Sequence, residues 1–390
     1  MGMSYKKIRV LHVITGLSVG GAEMMLYKLL EALDHSKADS MVISLRSGGA
    51  LGERIRKFEV PLVELNMRSG IPTPLVWRRL RNAVLTFKPD VIQGWMYHGN
   101  LAAWMTARWA RDAALIWSVR QSLCDLSFEK KLTRLVIRAN AVLSRRPRWI
   151  LYNSVTSAHQ HEAAGYEPAK TRLIPNGFDC DQFRPDPIAR AGVRTELGLN
   201  QDTLLVGHIA RYHPMKDHAN FLRAASILTG RCPLVRFLMA GTGVDRTNME
   251  LMSQVRDFGL SERAYLLGGR HDMPRLTAAL DLACSSSSWG EGFPNVLGES
   301  MASGVPCVAT DVGDSGAIIG NTGQMVPARN PEALAAAIMR VLELPETQRR
   351  ELGSRARERV QRKFSLQSVA QDYMALYESL NIETANTGRV

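Results

Sequence analysis

Ile8-Arg9-Val10-Leu11-His12-Val13-Ile14 runs into Thr15-Gly16-Leu17-Ser18-Val19-Gly20-Gly21 and then into Ala22 to Leu33, where apolar residues recur at Met25, Leu26, Leu29, Leu30 and Leu33. A short apolar run that stops at a glycine turn reads as a buried strand, and the i, i+3, i+4 recurrence after it reads as an amphipathic helix. Further short runs at Ser40 to Leu45, Val91 to Gln93, Leu115 to Val119, Trp149 to Tyr152 and Arg172 to Ile174 alternate with helix-length segments. That alternation predicts a parallel sheet built from βαβ units. It restarts at Thr203 to Ile209 and continues through Val235 to Met239, Ala264 to Leu267, Leu280 to Cys284 and Pro306 to Ala309. The fold class is therefore α/β, with two Rossmann-like parallel sheets.

Between the two series lie Pro175-Asn176-Gly177-Phe178-Asp179 and Phe183-Arg184-Pro185-Asp186-Pro187, a dense turn signal that marks a boundary. Past Asn330 the pattern is helical to about Leu380, and Glu383 to Val390 reads as a frayed tail. The expected organisation is residues 1–176, residues 177–364 and a last helix with tail at 365–390. At 390 residues and 43.3 kDa the chain has room for two cores of roughly 150 to 200 residues each. Open parallel sheets bind ligands at the carboxyl ends of their strands, so the loops there are where chemistry is expected.

The five cysteines are scattered, with no C-x-x-C pair and no Cys/His spacing suited to zinc, which predicts reduced core thiols. No run reaches the roughly 18 apolar residues of a membrane span, and the N-terminal run lacks a cleavage site. A cytoplasmic location is expected. The net charge of +12 is carried wholly by the first half: residues 1–184 hold 27 Lys+Arg against 15 Asp+Glu, and residues 185–390 hold 22 of each. The excess clusters in Trp77-Arg78-Arg79-Leu80-Arg81, in Trp104 to Arg111, and in Phe128 to Trp149, where Lys130, Lys131, Arg134, Arg138, Arg145, Arg146 and Arg148 interleave with Leu132, Leu135, Val136, Ile137 and Val142. Basic, amphipathic and tryptophan-bearing segments predict an anionic membrane surface as partner, at the inner face of the cell membrane. No nucleic-acid-binding motif competes for that charge.

The stretch Ser285 to Pro306 (SSSSWGEGFPNVLGESMASGVP) follows a strand, opens a helix at Pro294 and returns to a strand. Its backbone N–H groups from Phe293 to Leu297 are expected to form an anion site at the positive helix end. Glu291 precedes that end and Glu299 lies inside the helix; a carboxylate accepts two adjacent sugar hydroxyls at once, so the pair suits a polyhydroxyl ligand with phosphates. The four serines before Trp289 read as small loop residues. His208, His213, His218 and His271 form no recognisable metal set.

With its Glu-x7-Glu pattern in EGFPNVLGESMASGVPCVATDVG, and with GLSVGGAE at Gly16 to Glu23, PNGFD at Pro175 to Asp179, ARYHPMKDH at Ala210 to His218 and LLGGRHDMP at Leu266 to Pro274, the chain resembles the GT-B-fold retaining glycosyltransferases of family 4 over nearly its full length. The stretch VIQGWMYHGNLAA resembles the branch that builds bacterial lipopolysaccharide and O-antigen.

The resemblance implies two domains facing a central cleft, with the last helix crossing back to the first. It implies transfer of a hexose or N-acetylhexosamine from a nucleoside diphosphate sugar, most simply UDP-linked, to a lipid-linked glycan, either a polyprenyl diphosphate or a lipopolysaccharide. Glu299 would hold the ribose and Glu291 the donor sugar. Arg211 and Lys216 would neutralise the diphosphate, so that no metal and no cofactor is expected. Gly269, Arg270 and His271 would read the base edge. Gly292, Phe293, Pro294, Asn295 and Val296 would cradle phosphates, Gly20 and Gly21 would let the first loop approach the ligand closely, and His98 would stand beside the donor sugar. Two other classes remain: a sugar-nucleotide epimerase of similar fold, which would convert the donor with no acceptor, and a non-catalytic scaffold subunit, against which the intact Glu291, Glu299, Arg211 and Lys216 set argues.

Overall fold

The computed structural model describes residues 7–67, 73–200 and 202–387. Two units divide the chain: unit 1 runs to Gly177 and takes in the residues from Leu366 onward, and unit 2 is Phe178–Ser365. In unit 1 the elements are β1 (Ile8–Ile14), α1 (Gly21–Ala32), β2 (Ala38–Ser44), α2 (Ala50–Arg56), β3 (Leu62–Glu64), α3 (Pro74–Phe87), β4 (Val91–Trp95) and α4 (Met96–Thr106). They continue with β5 (Ala114–Val119), α5 (Lys131–Leu143), β6 (Trp149–Tyr152), α6 (Val155–Ala163) and β7 (Thr171–Leu173). Unit 2 holds α7 (Pro187–Glu196), β8 (Leu204–Ile209), α8 (His218–Thr229), β9 (Val235–Ala240), α9 (Met249–Asp257), β10 (Ala264–Leu266) and α10 (Met273–Ala278). After these come β11 (Leu282–Ser285), α11 (Asn295–Ala302), β12 (Cys307–Thr310), α12 (Ser315–Ile319), β13 (Gly323–Val326), α13 (Pro331–Leu342) and α14 (Glu346–Phe364). The last helix, α15 (Leu366–Thr387), belongs to unit 1.

Both sheets are parallel throughout, in the orders β3-β2-β1-β4-β5-β6-β7 and β10-β9-β8-β11-β12-β13. Inner strands are covered on both faces and read as continuous apolar runs, which is why the sequence shows them. The two strands it does not show, β3 and β13, are edge strands, short and mostly half-buried. An edge strand carries less burial and so a weaker apolar signal.

α15 closes unit 1's core. Leu366, Val369, Ala370, Tyr373, Leu376, Tyr377 and Leu380, at i+3 and i+4 spacing, are buried in one cluster with residues of β1 and α1. The backbone stays helical to Thr387, past the point at Glu383 where composition predicts fraying; residues 388–390 lie outside the described ones. The Tyr377 hydroxyl donates to Gln93 Oε1 in the middle of β4, at 2.5 Å. The buried Arg120 guanidinium donates to the Ile174 carbonyl (2.8 Å), the Asn176 side chain (3.1 Å), Ser118 Oγ and the Tyr373 hydroxyl. Neutral acceptors thus surround this cation and tie the end of β5 to the segment leaving unit 1 and to the helix that returns.

Unit 1 also buries two neutral histidines. His12 in β1 accepts at Nδ1 from Trp95 Nε1 (3.2 Å), and burial pushes its pKa down to about 3. His161 in α6 bonds the Tyr97 hydroxyl and the Ser157 carbonyl, and burial pushes it down to about 4. The unfolded chain takes up these protons near pH 6.5, where the folded chain refuses them, so stability is intact above about pH 6.5 and falls as pH drops toward 4.

Two measurements follow from these contacts. Tyr377→Phe should cost about 1–3 kcal/mol in urea unfolding, because it leaves buried Gln93 Oε1 without its donor; an unchanged midpoint would mean that Gln93 finds another. Wild type should lose stability between pH 7.5 and pH 5.5, and His12→Gln, which keeps an acceptor but cannot titrate there, should lose less; equal losses would remove His12 from the acid response.

Candidate functional site

In unit 2 the carboxyl ends of five adjacent strands carry loops that are laced together by backbone hydrogen bonds. Gly241 N–H, after β9, donates to the Gly268 carbonyl after β10 (2.8 Å), and Tyr212 N–H, after β8, donates to Thr242 (2.8 Å). Ser288 N–H, after β11, donates to Met215 (2.8 Å), and Asp314 N–H, after β12, donates to Gly292 (2.9 Å). Gly313 makes the last contact possible: its φ of +62° favours glycine, and a Cβ there would strike the Glu291 carbonyl oxygen. The result is one continuous floor formed from segments far apart in sequence.

On that floor Lys216 Nζ forms an ion pair with Glu291 Oε1, and Ser287 Oγ donates to the same oxygen at 2.6 Å. The carboxylate is buried, and Oε2 takes no hydrogen bond from any described residue. One oxygen is spent on positioning and the other remains an acceptor. A second layer holds Lys216 in place. Ser286 Oγ donates to the Lys216 carbonyl (2.8 Å) and lies 2.9 Å from His208 Nε2. Burial, then His218 and Lys216, hold His208 well below its usual pKa, so it is neutral, and the Ser286 proton's direction makes Nε2 the donor. After Lys216 the chain turns at Asp217, left-handed at φ +47°, whose carboxylate caps α8 at Asn220 N–H (3.2 Å). Ser286 and Ser287 are therefore structural partners of the site rather than loop filler, and the run of serines was the only local trace of them.

The remaining expected residues separate into groups. Arg211 is exposed on the same loop as Lys216, its Nη2 3.9 Å from Met215 Sδ. Glu299 is the fifth residue of α11 and half-buried. Pro294 is the residue before α11 rather than its first, and Leu297 N–H is already bonded to the Pro294 carbonyl (3.2 Å), which removes it from the expected anion site. The Phe293 ring is core: it stacks on Phe178 at 6.0 Å and meets Phe364 edge-on. Gly292 is buried under Asp314, and Asn295 and Val296 begin the helix, half-exposed. Gly269 and His271 are exposed, whereas Arg270 between them is committed to Asp272 (2.8 Å) and Glu196 (3.0 Å), which hold its pKa up. That ion cluster, not a ligand, accounts for the Arg270 side chain. Among the described residues no group of His, Cys, Asp and Glu is arranged to hold a metal ion.

In unit 1, Gly20 caps α1 and Gly21 begins it; a Cβ on Gly21 would meet nothing within 4 Å, so the loop leaves open space there. His98 stands in the first turn of α4, entered through Met96 at φ +61°. Its neighbours are all spent on fixing that turn. Tyr97 bonds His161 (3.0 Å) and accepts from Asn140 through its carbonyl (2.8 Å), Asn100 accepts from Ser118 N–H (3.2 Å), and a Cβ on Gly99 would lie 2.6 Å from the Val13 carbonyl. His98 alone faces a cavity, and burial, then Arg46, lowers its pKa, so it is neutral at pH 7.

The family described as Glycosyltransferase Family 4 matches residues 19–182, nearly all of them in unit 1, and the family described as Glycosyl transferases group 1 matches residues 203–344, in unit 2. The chain belongs to the family 4 glycosyltransferases. This glycosyltransferase is 29% identical to EpsF of Bacillus subtilis over 79% of its own length and 80% of that protein's. It is 23% identical to the UDP-Gal:alpha-D-GlcNAc-diphosphoundecaprenol alpha-1,3-galactosyltransferase of Escherichia coli, over 87% of its own length and 89% of the relative's. The crystal structure of Anabaena Alr3699/HepE in complex with UDP superposes with a TM-score of 0.82 at 23% identity, covering 95% of this chain and 100% of that one. The fold of this glycosyltransferase is GT-B.

Lys216→Met should destabilise the glycosyltransferase by about 2–3 kcal/mol, the low side for breaking a buried pair because Lys216 keeps some exposure. Adding Glu291→Gln should recover most of that loss. A urea double-mutant cycle with additive single effects would show that the two side chains are not energetically coupled.

Proposed function

We propose that this glycosyltransferase moves a hexose or N-acetylhexosamine from a UDP-linked donor to a lipid-linked glycan in cell-surface polysaccharide synthesis, such as lipopolysaccharide or O-antigen, with retention and without a metal. The observation that carries the reading is the Lys216–Glu291 pair, which sets a fixed cation beside a carboxylate oxygen still able to accept sugar hydroxyls. Lys216 and exposed Arg211 meet the charge that grows on the departing diphosphate, the task a divalent ion performs elsewhere. Glu291 Oε2 holds the donor sugar and Glu299 the ribose. The anomeric C–O bond to the diphosphate breaks, the acceptor oxygen bonds to the same face of that carbon, and its proton passes to the departing phosphate oxygen. The E. coli relative, named for a UDP-Gal donor and a diphosphoundecaprenol-linked acceptor, supports both substrate classes, and the UDP-bound neighbour supports the nucleotide.

A membrane-surface role is supported by α5. Lys131, Leu135, Arg138 and Val142 fall on one side of this helix, and all four are exposed, Leu135 by 64% and Val142 by 81%. Arg78, Arg79 and Arg81 on α3 are exposed as well. Each cation near an anionic leaflet contributes about 1 kcal/mol, and the apolar pair adds burial in the interface. Among the described residues no helix is long and apolar enough to cross a membrane.

The donor is tested by thermal unfolding with UDP, GDP and a panel of their sugars. A ligand at about 100 times its Kd adds roughly 2.7 kcal/mol. A UDP-sugar should raise the midpoint of wild type but not of Glu299→Ala, and no shift with any of them would overturn the donor reading. Lys216→Ala should lower kcat more than donor affinity, since the charge it meets is greatest in the transition state. Unchanged turnover would remove that role, and strong inhibition by a chelator would overturn the metal-free mechanism. Vesicles containing phosphatidylserine should sediment the protein at low salt and release it at high salt, with Val142→Asp and Arg138→Glu binding less. No binding at low salt would defeat the membrane claim.

A further inference from the structure

Beneath His98, unit 1 holds a cavity of about 180 Å³, partly open to solvent. A cavity of about 150 Å³ lined by Leu, Ile and Phe stays dry and admits benzene, so this hollow is large enough for a small apolar group. Three helices form its walls: His98, Leu101, Ala102 and Met105 from α4 at i, i+3, i+4, i+7 spacing, Val76, Trp77 and Leu80 from α3, and Leu132 and Val136 from α5. Leu45, Leu65 and Met67 complete the apolar lining.

Its polarity is graded from one end to the other. Thr15, Arg46 and His98 follow the carboxyl ends of β1, β2 and β4, and from His98 to Met105 α4 runs about 10 Å toward the opposite end of the sheet. The rim is polar and the interior apolar. With His98 neutral, the charge at the rim is that of Arg46, an exposed cation without an ion-pair partner among the described residues. A site of one cation over an apolar hollow matches an amphiphile whose anionic head joins directly to a hydrocarbon chain.

We infer that this cavity receives the first segment of the hydrocarbon chain of a lipid phosphate, with the phosphate against Arg46. The inference rests on the lipid-linked acceptor proposed above and adds to it that the lipid itself is recognised inside unit 1, not only the glycan it carries. The exposed basic and apolar side of α5, the helix that supplies Leu132 and Val136, would bring the protein to the surface where such a chain resides.

Calorimetric titration of the full-length protein with farnesyl phosphate, inorganic phosphate and farnesol tests this. Farnesyl phosphate should bind at least tenfold more tightly than inorganic phosphate. Ala102→Trp, which fills the hollow, and Leu132→Asp, which sets a carboxylate at a wall position already 53% exposed, should each weaken it at least tenfold. Arg46→Gln should weaken farnesyl phosphate more than farnesol. No binding to wild type, equal binding to wild type and both wall variants, or phosphate binding as tightly as farnesyl phosphate would each overturn the inference. The rise in unfolding midpoint with UDP, read in the same proteins, reports the unit 2 site: its retention shows that the variants fold, and its absence from wild type would sink the donor reading while the farnesyl phosphate result decides the cavity.

Discussion

Every strand pair in both sheets is parallel, and that constraint organises the rest of the molecule. A parallel connection must carry the chain back across the sheet, usually as a helix, so all the loops that leave strand carboxyl ends collect on one edge. In unit 2 five of these loops meet side by side and satisfy one another's backbone groups. Lys216 and Glu291 can then be held 75 residues apart in sequence yet in direct contact. The ion pair is a product of the topology.

The same constraint explains the division of labour around His98. A helix that starts at a strand's carboxyl end presents its first turn to the ligand edge and its later turns to the sheet's flank. In α4 the first turn carries His98, fixed by Tyr97, Gly99 and Asn100, while Leu101, Ala102 and Met105 look into a hydrocarbon hollow. One helix thereby serves a polar rim and an apolar interior. α15 completes unit 1: Tyr377 supplies the donor for buried Gln93 Oε1, and Tyr373 adds a fourth acceptor to those of the buried Arg120 guanidinium.

Preorganisation is the common theme of the unit 2 floor. Glu291 is not a free carboxylate waiting for substrate; Ser287 and Lys216 share one of its oxygens, and His208 and Ser286 fix the backbone that carries Lys216. Charges held in this way need no reorganisation when charge develops on a ligand. The Arg270 cluster with Asp272 and Glu196 does a different job, bracing the loop after β10 against α7.

Much of this was legible in the sequence. Inner strands declare themselves through apolar runs, the turn at Pro175 to Pro187 falls where the two units divide, and motif and position point to Lys216 and Glu291, which the fold brings into contact. Local periodicity records which side of an element is buried but not what it is buried against. The pairing of Lys216 with Glu291, the part played by Ser286 and Ser287, the burial of Phe293 in the core, the commitment of Arg270 to its ion cluster and the cavity shared by α3, α4 and α5 are contacts between distant segments. Only the tertiary structure decides them, because each depends on which strand ends and helix flanks the fold brings together.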